Sequence, residues 1–366
     1  MSSRHDRAGR APLVLGVLGW FAFIAIASRR PVAVAVAASP SAFAPGAPPN
    51  RALASEPGKG RDARMPSQIP ARGWKDILLR VYSESMDDRI TTVAAGITFF
   101  SLLALFPAVT ALVSLYGLFA DPMTVRDHLF SLSFMLPAGT FQIVEDQITR
   151  ITAEGSSALS LKLAIGLGIA LWGANAGMKA AIDGLNIAYE ETEKRSFIML
   201  NLLSLALTIS AILVVLVAIV VVTLAPAILN AMQLSGAVRA TAGILRWVLM
   251  AGMLTVGLSI FYRFGPSRDN AKWRWVTWGG ALAALLWIAV SLGLSAYLSS
   301  FADYNKTYGS LGAAIALMMW IWLSACAVLI GAELNAEMEH QTAVDTTVGT
   351  PTPMGTRNAT MADTLA

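Results

Sequence analysis

Charge is scarce in this 366-residue chain: Asp, Glu, Lys and Arg make up 14% of it, where a soluble domain carries about 25%. That shortage, with 55% hydrophobic residues and a mean hydropathy of +0.60, excludes a disordered chain and argues against a soluble enzyme. The single cysteine, Cys326, excludes an intramolecular disulfide. Three histidines, His5, His128 and His340, are scattered along the sequence, so no His/Cys cluster has metal-ligand spacing. Walker loops, nucleophile elbows and HExxH motifs are missing too. A hydrolase or nuclease needs a general base or a metal. Neither is offered, so we expect no enzyme activity, no metal and no cofactor.

What charge exists is unevenly placed. Residues 1–92 hold thirteen Lys/Arg and seven Asp/Glu, residues 93–337 hold thirteen of each, and the remainder carries one Arg against three acids. The basic excess belongs to the N-terminal leader, which argues against a nucleic-acid partner. Between the charges lie long apolar gaps: Arg89 to Asp121, Lys162 to Lys179, Arg195 to Arg239, Arg246 to Arg263, Arg274 to Asp303 and Lys306 to Glu333. A helix crossing bilayer hydrocarbon needs about 20 apolar residues. The two shorter gaps qualify if their bounding Lys and Arg snorkel to the headgroups. The fold class expected is all-α, a polytopic bundle of six transmembrane helices near 93–118, 160–182, 198–224, 242–263, 275–299 and 309–332.

Orientation follows from the cations between spans. With the segment before the first span inside, ten Lys/Arg lie inside and six outside, so both ends of the six-span body are expected to be cytoplasmic. Arg263, Arg268, Lys272 and Arg274, beside Trp273, Trp275 and Trp278, read as an interfacial basic belt. Membrane lipids are the expected partner.

The flanks are separate. Residues 1–64 read as a leader and a Pro/Ala/Gly-rich linker, and its apolar stretch 11–28 admits three readings: an extra span, a signal, or a start-site artefact. Residues 65–92 contain the stripe Trp74, Ile77, Leu78, Val81, Tyr82 and Ser85, which predicts an amphipathic helix on the cytoplasmic face. Phe141, Val144, Ile148 and Ile151 predict a second such helix within the long outer loop. The membrane domain is expected over 93–340, and residues 341–366 as a disordered tail.

Polar residues inside the bundle are the functional handles. Asn175, Lys179, Asp183 and Asn186 share one helical face, and Lys179 can pair with Asp183 one turn on. Glu190 and Arg195 follow in the next turn, and Glu333 and Asn335 close the last span. Ionisable groups at membrane depth are costly and often functional. These eight residues read either as a polar path for a substrate or as pins between helices. A contact between Lys179 and Glu333 is a further expectation.

Several segments, in order, resemble the YihY/BrkB family of bacterial inner-membrane proteins, historically labelled ribonuclease BN. They are Ala94-Ala95-Gly96-Ile97-Thr98-Phe99-Phe100 with Leu105-Phe106-Pro107, Trp172-Gly173-Ala174-Asn175, and Gly184-Leu185-Asn186-Ile187-Ala188-Tyr189-Glu190 followed by Arg195. Later come Phe264-Gly265-Pro266, Trp278-Gly279-Gly280, Tyr308-Gly309-Ser310-Leu311-Gly312-Ala313 and Gly331-Ala332-Glu333-Leu334-Asn335. The resemblance covers about residues 74–339. It implies six spans, a place in the inner membrane and a role in envelope biology, including resistance to host killing and export of a lipid or solute. Two readings follow: a transporter or handler of a lipid or small anionic solute, or a non-catalytic envelope assembly protein. The ribonuclease label has no matching catalytic residues here.

Overall fold

The computed structural model describes residues 56–116, 159–231, 236–300 and 310–366, all within the compact unit Pro48–Ala366. The apolar stretch 11–28 and the outer loop helix around Phe141–Ile151 lie outside the described residues. Among the described residues the fold is all-helical. The only ladder pairing printed there is an isolated antiparallel bridge between Ala271 and Thr347.

After a short 3-10 turn at Pro66–Gln68 come α1 (Ala71–Asp87), α2 (Ile90–Tyr116), α3 (Leu159–Ala188), α4 (Phe197–Ala231), α5 (Gly236–Phe264), α6 (Trp273–Ser300), α7 (Ser310–His340) and the single turn α8 (Thr360–Asp363). Each of the helices α2 to α7 overlaps one of the six charge-free gaps. Among the described residues, three are long and apolar enough to cross a membrane: Phe197–Val214, Trp273–Leu298 and Ala314–His340. The pair α1–α2, bent by 60°, makes a fourth if it counts as one span. Helix α2 runs on through Pro107, and α4 through Pro226, without a break in helix.

Helix α7 is the hub, packed on α1, α2, α3, α6 and α8. Its small residues allow this. The backbones of α6 and α7 meet at Gly279 and Gly331, where a Cβ on Gly279 would lie 2.0 Å from the Gly331 carbonyl oxygen. Ala283, Ala332 and Ala336 line the same seam, all fully buried. In lipid, where apolar surface gives helices no reason to separate from it, such close backbone approach supplies the van der Waals contact that holds them. Asn335 clamps the seam: its Oδ1 accepts from the Gly279 amide at 2.8 Å, and its Nδ2 donates to the Val276 carbonyl at 3.2 Å. The Tyr262 hydroxyl ties α5 to α7 by donating to the Val328 carbonyl at 2.7 Å. The Trp322 indole ties α7 to α2 through the Thr91 carbonyl at 2.9 Å.

Helix α1 lies across the end of α7. Ile77 and Val81 are buried against Leu334, Met338 and Trp275, while Leu78, Leu79, Tyr82 and Met86 are exposed. The expected apolar stripe is thus divided between a protein-facing and an outward-facing side.

The tail differs from expectation. Residues 341–366 fold back over the ends of α5, α6 and α7, and Met361 of α8 enters the core formed by Leu185, Tyr189, Tyr262 and Val276. The physical reason is polar: Arg357 donates to the carbonyls of Ala362, Thr352 and Ala343. Asp345 accepts from Thr347 and Thr352. Those bonds hold the Asp345 carboxyl below the ordinary aspartate value against the opposing effect of its burial, with the Arg357 charge adding to them. The expected linker is also packed where it is described. Arg61 and Ala63 are buried, and Thr342 donates to the Ala63 carbonyl at 2.7 Å.

Candidate functional site

Seven of the eight polar residues expected to line one path fall into three clusters, and Asp183 stands apart. In the first, Asn175 and Lys179 meet on Asn201 of α4, a residue the sequence reading did not single out. Asn175 Nδ2 donates to Asn201 Oδ1 at 3.3 Å, Lys179 Nζ donates to the same oxygen, and the Ser204 hydroxyl donates to Asn175 Oδ1. The Lys179 ammonium also sits 5.6 Å from the centre of the Phe197 ring. It takes these partners instead of Asp183, which is exposed, and no ion pair joins it to Glu333.

The second cluster closes the turn between α3 and α4. Asn186, 3% exposed, donates to Glu193 at 3.1 Å and accepts from the Ser267 amide at 2.8 Å. Arg195 donates to the Gly265 carbonyl at 2.7 Å and lies 3.6 Å from Glu193. Glu190 is exposed and holds the turn in the left-handed region, φ 51°.

The third cluster surrounds the end of α7. Asn335 faces α6 as described. Glu333, two residues earlier, is fully buried, and neither carboxylate oxygen receives a hydrogen bond from a donor group. Its neighbour is Asp88, the carboxyl at the α1–α2 corner, within hydrogen-bonding reach. Burial pushes the Asp88 carboxyl up to about 6; its hydrogen bond with Glu333 opposes this, and the charges of Glu190, Asp87 and Glu337 add to it. Glu337, one turn beyond Glu333, is engaged differently: Arg80 of α1 donates to it, and His340 stands 3.8 Å away.

The basic belt also divides. Arg268 has a side chain with no exposure and grips Glu339 through two bonds, at 3.1 and 2.7 Å, while its guanidinium lies 4.1 Å over the Tyr189 ring. Lys272 donates to the Asp345 carbonyl at 2.7 Å. Lys272 thus holds the tail, and Arg268 holds the α7 carboxylate to which the tail's Thr346 hydroxyl donates. Arg263 stacks on Trp273 at 4.4 Å, and Arg274 is exposed.

Between the helices lies a cavity of about 380 Å³. Ile97, Met178, Ala211, Gly257, Trp287 and Leu329 each bring one helix, from α2 to α7, to its wall. None of the eight expected path residues lines it. Its two wall hydroxyls, Ser210 and Ser324, are bonded to their own helices, at Ala206 and Trp320, and the rest of the wall is apolar apart from the Trp287 indole. A wall this apolar suits an apolar ligand. Among the described residues no group of three His, Cys, Asp or Glu side chains could hold a metal ion.

Residues 81–353 match the family model described as virulence factor BrkB. The chain is 33% identical over 250 residues to the ribonuclease-like protein YfkH of Bacillus subtilis, covering 66% of this chain and 88% of that one. It is 27% identical to a UPF0761 membrane protein of Photobacterium profundum, covering 69% and 77%. With a UPF0761 membrane protein of Stenotrophomonas maltophilia the identity is 39%, over 23% of this chain and 19% of the other. No solved structure matches.

Proposed function

The chain belongs to the virulence factor BrkB family, and on that footing we propose that it handles lipid in the bacterial inner membrane, taking an acyl chain into the cavity between α2 and α7. The apolar cavity carries this reading. A small anionic solute would need cations on the wall, and Lys179 and Arg195, the two that suit an anion, are bonded elsewhere and do not line it. In this reading α2 to α7 are six spans. Both ends of the body face the cytoplasm, and the exposed apolar side of α1 rests among the headgroups. The polar clusters at Asn175, Lys179, Asn186, Arg195 and Asn335 fix helix positions around the cavity, each such bond contributing roughly 0.6–2 kcal/mol. The ribonuclease-like name of the Bacillus relative has no counterpart in a catalytic site among the described residues.

A second reading, an envelope assembly protein without a ligand, is favoured by the fact that most of the expected path residues are bonded within the protein. The two part on one variant. Gly257 faces the cavity with its nearest neighbour, a Val214 methyl, 3.7 Å from an added Cβ; a larger side chain therefore has room to enter without displacing backbone. Gly257→Leu should keep the fold and its thermal stability while reducing tightly retained phospholipid, counted by native mass spectrometry after delipidation, at least fivefold. Unchanged lipid in a folded Gly257→Leu protein supports the assembly reading instead.

A further inference from the structure

The carboxyl pair at the end of α7 is left over once the cavity and the structural bonds are accounted for. Glu333 has no exposure and no donor partner, and the group that faces it is another acid. The charged and titratable groups around the pair come from every neighbouring element: Arg80 and Glu84 from α1, Asp87 from its end, Glu190 from the α3–α4 turn, Tyr189 beside it, and Glu337 and His340 from α7 itself. Arg80 is bonded to Glu337 and to Gln341 instead, and Arg89, next to Asp88 in the chain, is exposed. Among the described residues no cation is bonded to either carboxyl of the pair. Two carboxyls within hydrogen-bonding reach, one fully buried and the other half-buried, with no cation bonded to either, do not both stay ionised; one proton is held between them.

Position gives that proton a mechanical consequence. Asp88 closes α1, its amide donating to the Glu84 carbonyl at 2.8 Å, and Arg89 turns the backbone through the left-handed region, φ 51°, into α2. The two helices meet there at 60°. Without the proton, the two charges repel and push the corner away from α7. Leu329, one helical turn before Glu333 and on the same face, lines the cavity, as does Ile97 of α2, and both belong to one packed cluster with Ile90 and Ala94.

We propose that Asp88 and Glu333 form a proton-binding site at the α1–α2 corner, and that its occupancy sets the position of α2 against α7 and hence access to the cavity. The link to lipid rests on the function proposed above; proton binding does not. Ligand linkage is reciprocal, so a proton that changes lipid affinity is itself held differently when lipid is bound.

The test uses the full chain in lipid nanodiscs, titrated from about pH 5 to about pH 8 while the infrared band of protonated carboxylic acid is followed. The wild type should retain a protonated carboxyl at neutral pH. Glu333→Gln and Asp88→Asn should each lose it, because a neutral amide that donates a hydrogen bond favours the ionised form of the remaining acid. Absence of the band in the wild type, or its persistence in both variants, overturns the site. Asp88 is half-exposed, so Asp88→Asn serves if Glu333→Gln does not fold. A group held protonated in the fold above its ordinary value of 3.8 costs stability as pH rises from there through about 6. Thermal stability should therefore fall across that window, and less so in Asp88→Asn. For the coupling, retained phospholipid should differ at least twofold between the two pH extremes in the wild type and not in Glu333→Gln. Equal retention with the band intact overturns the coupling alone, and no retention at either pH overturns the lipid reading.

Discussion

Gly279→Val should leave little folded protein. A Cβ at this position would meet the Gly331 carbonyl oxygen at 2.0 Å and the Asn335 amide at 2.5 Å, and the first of these is backbone. Flexible side chains can yield to an added methyl, but a helix backbone yields only by moving the helix. Overpacking a core costs about 1–3 kcal/mol, occasionally more, and the cost here should reach the top of that range because the Asn335 clamp is lost with the contact. The expected readout is a collapse of the monodisperse fraction in size-exclusion chromatography and a much lower unfolding temperature. Gly96→Val and Gly293→Val are the controls: nothing lies within 4 Å of a Cβ at either, and both should behave nearly as the wild type. Equal losses at all three glycines would contradict the close α6–α7 approach.

Arg268→Met should be the second severe change, with a different remedy. It leaves the Glu339 carboxylate buried with the Thr346 hydroxyl, at 2.6 Å, as its remaining partner. Breaking a buried pair on one side costs about 3–5 kcal/mol, whereas replacing both partners by apolar groups is often neutral. Arg268→Met with Glu339→Leu should therefore recover most of what Arg268→Met loses. The tail supplies an independent readout. It lies against Arg268, Lys272 and Glu339, so limited proteolysis should cut within residues 343–356 in the single variant and spare the double one. A double variant as unstable as the single would show that the pair acts by more than its charge.

The two substitutions also mark what the sequence makes legible. Charge-free gaps locate the long helices well, because a bilayer tolerates few ionised groups and the gaps follow directly from that. They place the helix ends less well. Helix α7 runs to His340 and α3 to Ala188, past the charges at Glu333 and Lys179 that close their gaps, since leaving the hydrocarbon does not stop backbone hydrogen bonding. The tail reads as disordered, but its partners lie elsewhere in the chain: Arg61 for Gln341, Glu191 for Thr360, Lys272 for Asp345. No window of sequence contains such pairs. The same distance hides Asp88 from a reading of Glu333. Lys179 is legible as a cation near the end of a span, but its partner is not: Asp183 stands one turn away, and the structure uses Asn201 across the α3–α4 seam. That asparagine, alone in the first turns of an apolar helix, was the available signal.

The most direct measurement of lipid handling is to find the acyl chain. A phospholipid with a photoactivatable group near the end of one acyl chain would be incorporated in nanodiscs with the full chain, irradiated, and the modified residues mapped. Entry of the chain into the bundle predicts labelling on the wall residues Leu254, Leu258 and Phe261 of α5 and Leu207 and Ala211 of α4, with labelling suppressed by Gly257→Leu. Labelling restricted to the outward face of α4, at Phe197, Ile198 and Leu202, and unchanged in Gly257→Leu, would show that lipid only surrounds this protein and would contradict the proposed function.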